Sequence, residues 1–316
     1  MAGDIDGLLE LQQALQTSRS NGLRTWRRAA NNLGWALLEE GDLTASYALE
    51  DELMAHRRPD SPTRQITPTA IRAYFDGDWH RYLSAITDLE AAGGIQDNPL
   101  ELLIRIWIGI LRGDEVGQRT EDLIADVLAA AHERRPQRAI LAHLALIRAL
   151  QNRDQETTGL LTRLVGSWRT TGGIAFGEWV ASASHAAALT GPPACELLHT
   201  ALTEANHRTS WMQAALHTTE GGATARSDPK AASASHLAAA NIYLRLPNIS
   251  DRILALAAAH RSLVKHPSPH ATNIRLEIED FAHQAKAPGL LTIAGLITDS
   301  MPSGVPDELG PELTTR

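Results

Sequence analysis

Residues 25–55, TWRRAANNLGWALLEEGDLTASYALEDELMA, decide the fold. Two amphipathic runs flank the dipeptide Gly41-Asp42. A glycine behind a helical run supplies the left-handed residue that ends a helix, and an aspartate beside it accepts from the first turn of the next. The stretch therefore reads as helix, tight turn, helix. The same dipeptide returns at Gly77-Asp78 and Gly113-Asp114, at a constant spacing of 36 residues. QITPTAIRAYF precedes the second and NPLELLIRIWIGILR the third. Weaker turn marks follow at Asn152-Arg153-Asp154 and Thr190-Gly191-Pro192. Helix pairs repeating at this period predict an all-α chain, an α-solenoid. Its length would come from stacking in one extended array rather than from one large core.

Composition agrees. The 316 residues are 43% hydrophobic and 21% charged, which excludes wholesale disorder. Only 4% are aromatic, with seven tryptophans among them. Ala and Leu supply the apolar mass and β-branched residues are thin, which argues against sandwiches, barrels and parallel sheets. The net charge of −8 speaks against DNA binding by this chain alone. One cysteine, Cys195, excludes an intrachain disulfide framework and a cysteine-based zinc site, and suits a cytoplasmic location. The opening MAGDIDGLLELQQ lacks the basic start and apolar core of a signal peptide, and no apolar run is long enough for a membrane span.

Beyond Ala205 the pattern loosens. Residues 218–233, TTEGGATARSDPKAAS, read as a mobile loop from their Gly, Ser and charge. Three further helices are expected in HLAAANIYLRL, 250–265 and 271–286, with Ser250-Asp251 as an N-cap for the second. The apolar segment 289–297 is expected to be a last helix and a surface for homo-oligomer formation. The division is thus a helical-repeat domain over 1–300 and a flexible tail or linker over 301–316, SMPSGVPDELGPELTTR read from Ser300.

Leu33-Gly34, Gly41-Asp42, Ala45 and Ser46 sit at the offsets of a tetratricopeptide repeat, with Leu37 and Glu50 where the repeat carries aromatics. Residues 73–79, AYFDGDW, resemble a helix-turn segment of the repeat regions in large, ATP-dependent LuxR-type (MalT-like) bacterial transcriptional regulators. Residues 312–316, ELTTR, are similar to the opening of the helix-turn-helix domain in that group. The resemblance spans roughly residues 20–300 with loose motifs. It implies a right-handed α-solenoid of tetratricopeptide-like helix pairs, and a sensor region that takes a small-molecule or peptide effector and meets DNA only through a module absent from this chain. The phosphate loop of such regulators, G-x-x-x-x-G-K-[ST], does not occur here.

No catalytic constellation and no metal-binding motif is legible, and no cofactor is expected. His199 and His207 lack accompanying carboxylates, and His266 and His270 lie in a Pro-broken segment. Cys195 near a helix start, one turn from His199, has the form of a nucleophile pair, but a small core cysteine explains it equally well. The candidate site is instead the inner, concave face of the array. Aligned on their turns, Trp35, Ile71, Trp107, Ile147 and His185 fall at one equivalent position. Asn31, Tyr74, His143 and Glu178 are the other inward candidates. The ligand-binding set is Asn31, Trp35, Tyr74, Trp107, His143 and His185, the large apolar members being equally suited to inter-repeat packing. Trp26, Trp79, Trp168, Trp179 and Trp211 are expected to pack. The function expected is a ligand- or partner-sensing domain of a LuxR-type regulator, not an enzyme. The alternatives are a stand-alone adaptor that binds a peptide or protein in the same groove and a helical-array enzyme with a histidine-based site.

Overall fold

The computed structural model describes residues 5–56, 63–94, 99–115, 117–130, 137–170, 177, 179–205, 208–264 and 269–297. The tail at 301–316, Glu178, His207 and His266 lie outside them. Among the described residues there are sixteen helices and no strand. They are α1 (Ile5–Ser20), α2 (Trp26–Glu40), α3 (Leu43–Ala55), α4 (Thr63–Phe75), α5 (Trp79–Ala91) and α6 (Pro99–Arg112). Next come α7 (Gln118–Ala130), α8 (Gln137–Leu150), α9 (Asp154–Thr170), α10 (Trp179–Thr190) and α11 (Pro192–Thr203). The last five are α12 (Ser210–Thr224), α13 (Pro229–Arg245), α14 (Ile249–Leu263), α15 (Pro269–Ala285) and α16 (Gly289–Ile293).

The turns form as their chemistry dictates. Gly41, Gly77 and Gly113 have φ of 93°, 75° and 86°. At each, the glycine N–H and the following aspartate N–H bond back to the end of the preceding helix, as from Gly41 to Leu38 at 3.1 Å and Asp42 to Leu37 at 2.9 Å. Asp42 and Asp78 then accept from Ala45 N and Arg81 N, capping α3 and α5. The third turn differs, since α7 begins only at Gln118. Asn152, with φ of 58°, takes the glycine's place between α8 and α9.

Successive helices pack on one another, and α6, α8, α10 and α12 form a continuous row. The array is not an open one, however. Its early helices touch its late ones: α2 meets α12, α4 meets α14 and α6 meets α16. Trp211 Nε1 donates to the Leu38 carbonyl at 2.8 Å, and Trp79 Nε1 to Ser250 Oγ at 2.8 Å. One hydrophobic core consequently runs from Leu38 to Ala294, and a second, smaller one holds α1, α2 and α3 around Leu15, Leu33, Leu37 and Leu53. This corrects the expectation of an extended array without a large core. The inner face is filled by the chain's own C-terminal helices.

Two further expectations are corrected. Residues 218–233 are mostly helical, as the end of α12 and the start of α13. Gly221 and Gly222 are there to let helices touch: a Cβ on Gly222 would lie 2.6 Å from Cys195 Sγ and 2.7 Å from Ala188 Cα. The segment 289–297 is helical only over Gly289–Ile293, and that short helix packs on α14, α15 and α6 with Leu290 buried, while Ile297 is exposed. No helix among the described residues is long and apolar enough to cross a membrane.

Candidate functional site

The six candidate residues fall into two places. Asn31 and Trp35 lie on α2 and line a surface cleft of about 590 Å³. Its walls are α2, α3 and α4, closed at one end by Gly93 and Gly94 behind α5. Small residues at Ala30 and Gly34 leave the space, and Ser46 Oγ spans the α2–α3 crossing by donating to the Gly34 carbonyl at 2.9 Å. The α4 wall carries Thr67, Pro68 and Ile71. Pro68 sits inside the helix and has no N–H to give to the ladder. Trp35 is 51% exposed at this cleft, an unusual position for so large an apolar surface.

Besides Asn31, most of the cleft's polar groups come from α3. The Tyr47 hydroxyl is buried and has no hydrogen-bond partner among the described residues. Burial and the nearby Asp76 charge push its pKa up, so the phenol stays protonated and keeps a hydrogen to donate. The Arg72 guanidinium lies 4.5 Å from the centre of the Tyr47 ring. It is held there by Asp51 at 3.0 Å and Glu50 at 3.6 Å, so this cation is neutralised locally. The cleft thus offers an aromatic platform, an unsatisfied phenol, the Asn31 amide and the Glu50 carboxylate between apolar walls. Those suit a small ring-bearing ligand with polar groups at its edge.

Tyr74, Trp107, His143 and His185 do come together, but in the core. At the aligned position, Trp35 is exposed and Ile71 half-buried, while Trp107, Ile147 and His185 are buried. The late helices cover this position in the later repeats; in the first they meet the α2–α3 turn and leave Trp35 exposed. At the centre is Asp251, on the first turn of α14. Its Oδ2 accepts from Tyr74 at 3.3 Å and from Asn248, while Oδ1 lies 3.2 Å from His185 Nε2 without the alignment of a hydrogen bond. Ser250 donates to the Tyr74 carbonyl. Trp107 packs edge-on against Tyr74, with centroids 6.0 Å apart. His143 meets Ser182 at 3.1 Å, and burial pulls its pKa down to about 4 against the raising effect of Asp251. These groups join α4, α6, α8, α10 and α14 and are buried in the main core. Asp251 is not the N-cap expected; Asn248 is, accepting from Asp251 N at 3.0 Å.

Cys195 is buried, its thiol donating to the Ala187 carbonyl at 3.2 Å, and burial pushes its pKa up to about 12. That is opposite to what a nucleophile needs. His199 is engaged with Thr219 at 3.1 Å. Among the described residues no group of three His, Cys, Asp or Glu side chains has the arrangement of a metal site. Trp79, Trp168 and Trp211 are buried, and Trp26 and Trp179 pack partly buried against the cores. Tyr47, Gly93 and Gly94 went unrecognised in the sequence. An aromatic on the second helix of the first unit, where neighbouring positions are small or charged, was the available signal for Tyr47.

The site is therefore a ligand-sized cleft between α2, α3 and α4, where Trp35 is left exposed. Comparison of the chain with protein-family models finds no match, and comparisons with known proteins and with solved structures find none either.

Proposed function

We propose that the chain is an effector-sensing helical-repeat domain, with the effector held in the α2–α3–α4 cleft by Trp35, Asn31 and Tyr47. The carrying observation is the cleft itself: a large exposed indole beside a buried phenol with no partner, in a volume that suits a small molecule. The repeat reading rests on the 36-residue turn spacing, and its right-handed, tetratricopeptide-like form on the resemblance. The resemblance to the LuxR-type group supports a regulator whose DNA contact lies in another module. The cleft lies between the α1–α3 cluster and the main core, so occupancy stabilises one relative placement of the two and biases the attached module by the effector's differential affinity. The inner face, filled by the chain's own helices, leaves less room for a peptide adaptor role.

Native mass spectrometry of the protein from its own host tests this reading. The expected result is a retained small molecule that Trp35→Ala loses. A retained mass equal in both proteins removes the cleft from the assignment, and wild-type protein without any retained or titratable small molecule removes the sensor reading.

A further inference from the structure

A second cleft, of about 640 Å³, opens where the ends of α10, α12 and α14 meet. Its apolar walls are Leu189, Pro192, Pro229 and Val264. Two cations line it, Arg226 and Arg261, and no Asp or Glu is among the described lining residues. Within a chain of net charge −8 this is a local inversion of sign. Among the described residues neither arginine forms an ion pair. Arg226 is exposed and makes no side-chain hydrogen bond among the described residues, and Arg261 gives one, from Nη2 to the Ala188 carbonyl at 3.1 Å. A guanidinium carries five N–H donors in a fork matched to planar or tetrahedral oxyanions.

The opposing effect is the helix termini. Each C-terminal end brings roughly half a negative charge. Their hydrogen-bonding capacity is largely spent, though. Ala186 O accepts from Thr190 Oγ1 at 2.9 Å, Ala187 O from Gly191 N at 2.8 Å, and Thr224 O from Asp228 N at 2.8 Å. What faces the cleft unspent is the donor set of the two arginines. Desolvation lowers the Arg261 pKa, and no carboxylate relieves it.

We infer that this cleft binds a small organic oxyanion, with its phosphate or carboxylate head between Arg226 and Arg261 and its compact apolar body against Leu189, Pro192 and Val264. The volume exceeds what a bare inorganic ion fills, and the walls beside the arginines are apolar. This site is separate from the α2–α4 cleft, so the two assignments stand or fall independently.

The probes are phenyl phosphate, benzoate and, as the uncharged counterpart, benzyl alcohol, each titrated against the full chain by calorimetry and thermal shift. At least one anion is expected to bind saturably and raise the unfolding midpoint, with affinity falling as salt rises, while benzyl alcohol does not bind. Preference between the two anions identifies the head group. Arg226→Ala, at an exposed position, is expected to fold as the parent does and to bind at least tenfold more weakly, and Arg261→Met to do the same. Absence of saturable binding by both anions, equal binding of benzyl alcohol, or unchanged affinity in Arg226→Ala overturns the proposal.

Discussion

A histidine whose pKa burial pulls down makes stability depend on pH, and His143 and His236 are of this kind. His143 and His236 are both buried. Desolvation pulls His143 down to about 4, and desolvation together with Arg261 and His185 pulls His236 down to about 3. In the unfolded chain each titrates near 6.5. Above that value neither state binds the proton and the full stability is present. As pH falls from 6.5 toward the folded values, only the unfolded chain gains protons, and the fold weakens. Between pH 7 and 5 the loss is roughly 2 kcal/mol for each histidine. Urea denaturation at the two pH values measures it. His143→Gln is expected to show a shallower pH dependence than the parent, and an unchanged slope would remove His143 from the account. Residue type and spacing put Trp107 and His185 at one groove-facing position with Tyr74 and His143 as further inward candidates, and the structure buries all four in the core. That the inward face is sealed could not be read, because Asp251 and Ser250, which seal it, are about 175 residues away from Tyr74 in the chain and look locally like an ordinary cap.

At the scale of the element, the recurrent turn glycines carry unequal burdens. All three need the left-handed conformation, which costs an alanine roughly 1 to 2 kcal/mol. Gly41 and Gly77 also lie against the late helices. A Cβ on Gly41 would come within 2.6 Å of Leu246 Cδ2, and one on Gly77 within 2.7 Å of Ile249 Cγ2 and 3.0 Å of Phe281 Cε2. Gly113 has nothing within 4 Å of that position. Gly113→Ala is therefore expected to cost about 1 to 2 kcal/mol, and Gly41→Ala and Gly77→Ala about 1 to 3 kcal/mol more from overpacking. Denaturant midpoints of the three variants decide, and equal losses would mean that the late helices do not press on the turns. The periodic dipeptide was legible because a turn needs only local chemistry. Its second role was not, since the partner atoms come from the other end of the chain. The same cause hid the helices at 218–233: a glycine pair looks like a loop until the neighbouring helix that needs its missing side chains is in view.

At the scale of the whole molecule, closure changes what kind of unfolding the array undergoes. In an open stack each repeat touches only its neighbours, and stability is a sum of local terms, so the ends fray and opening spreads along the chain. Here α4 is tied to α14 and α6 to α16, and a single core spans them. Opening α4 or α14 breaks the Tyr74–Asp251 bond, and opening α14 also frees the buried Trp79 from Ser250. The first unit is different. Its own cluster around Leu15, Leu33, Leu37 and Leu53 is separate, and the α2–α4 cleft lies where it would otherwise pack against the next unit. Two classes of amide protection are therefore expected in hydrogen exchange. Amides of α4, α6, α8, α10, α12 and α14 should exchange through one shared global opening, with a common dependence on denaturant. Those of α1 and α3 should exchange through a smaller, easier opening that leaves the rest intact. A ligand in the α2–α4 cleft should raise protection in α2 and α3 first, because it bridges the first unit to α4. A gradient of protection falling smoothly from the middle of the chain to both ends would show instead that the array behaves as an open stack and that the contacts between its early and late helices contribute little.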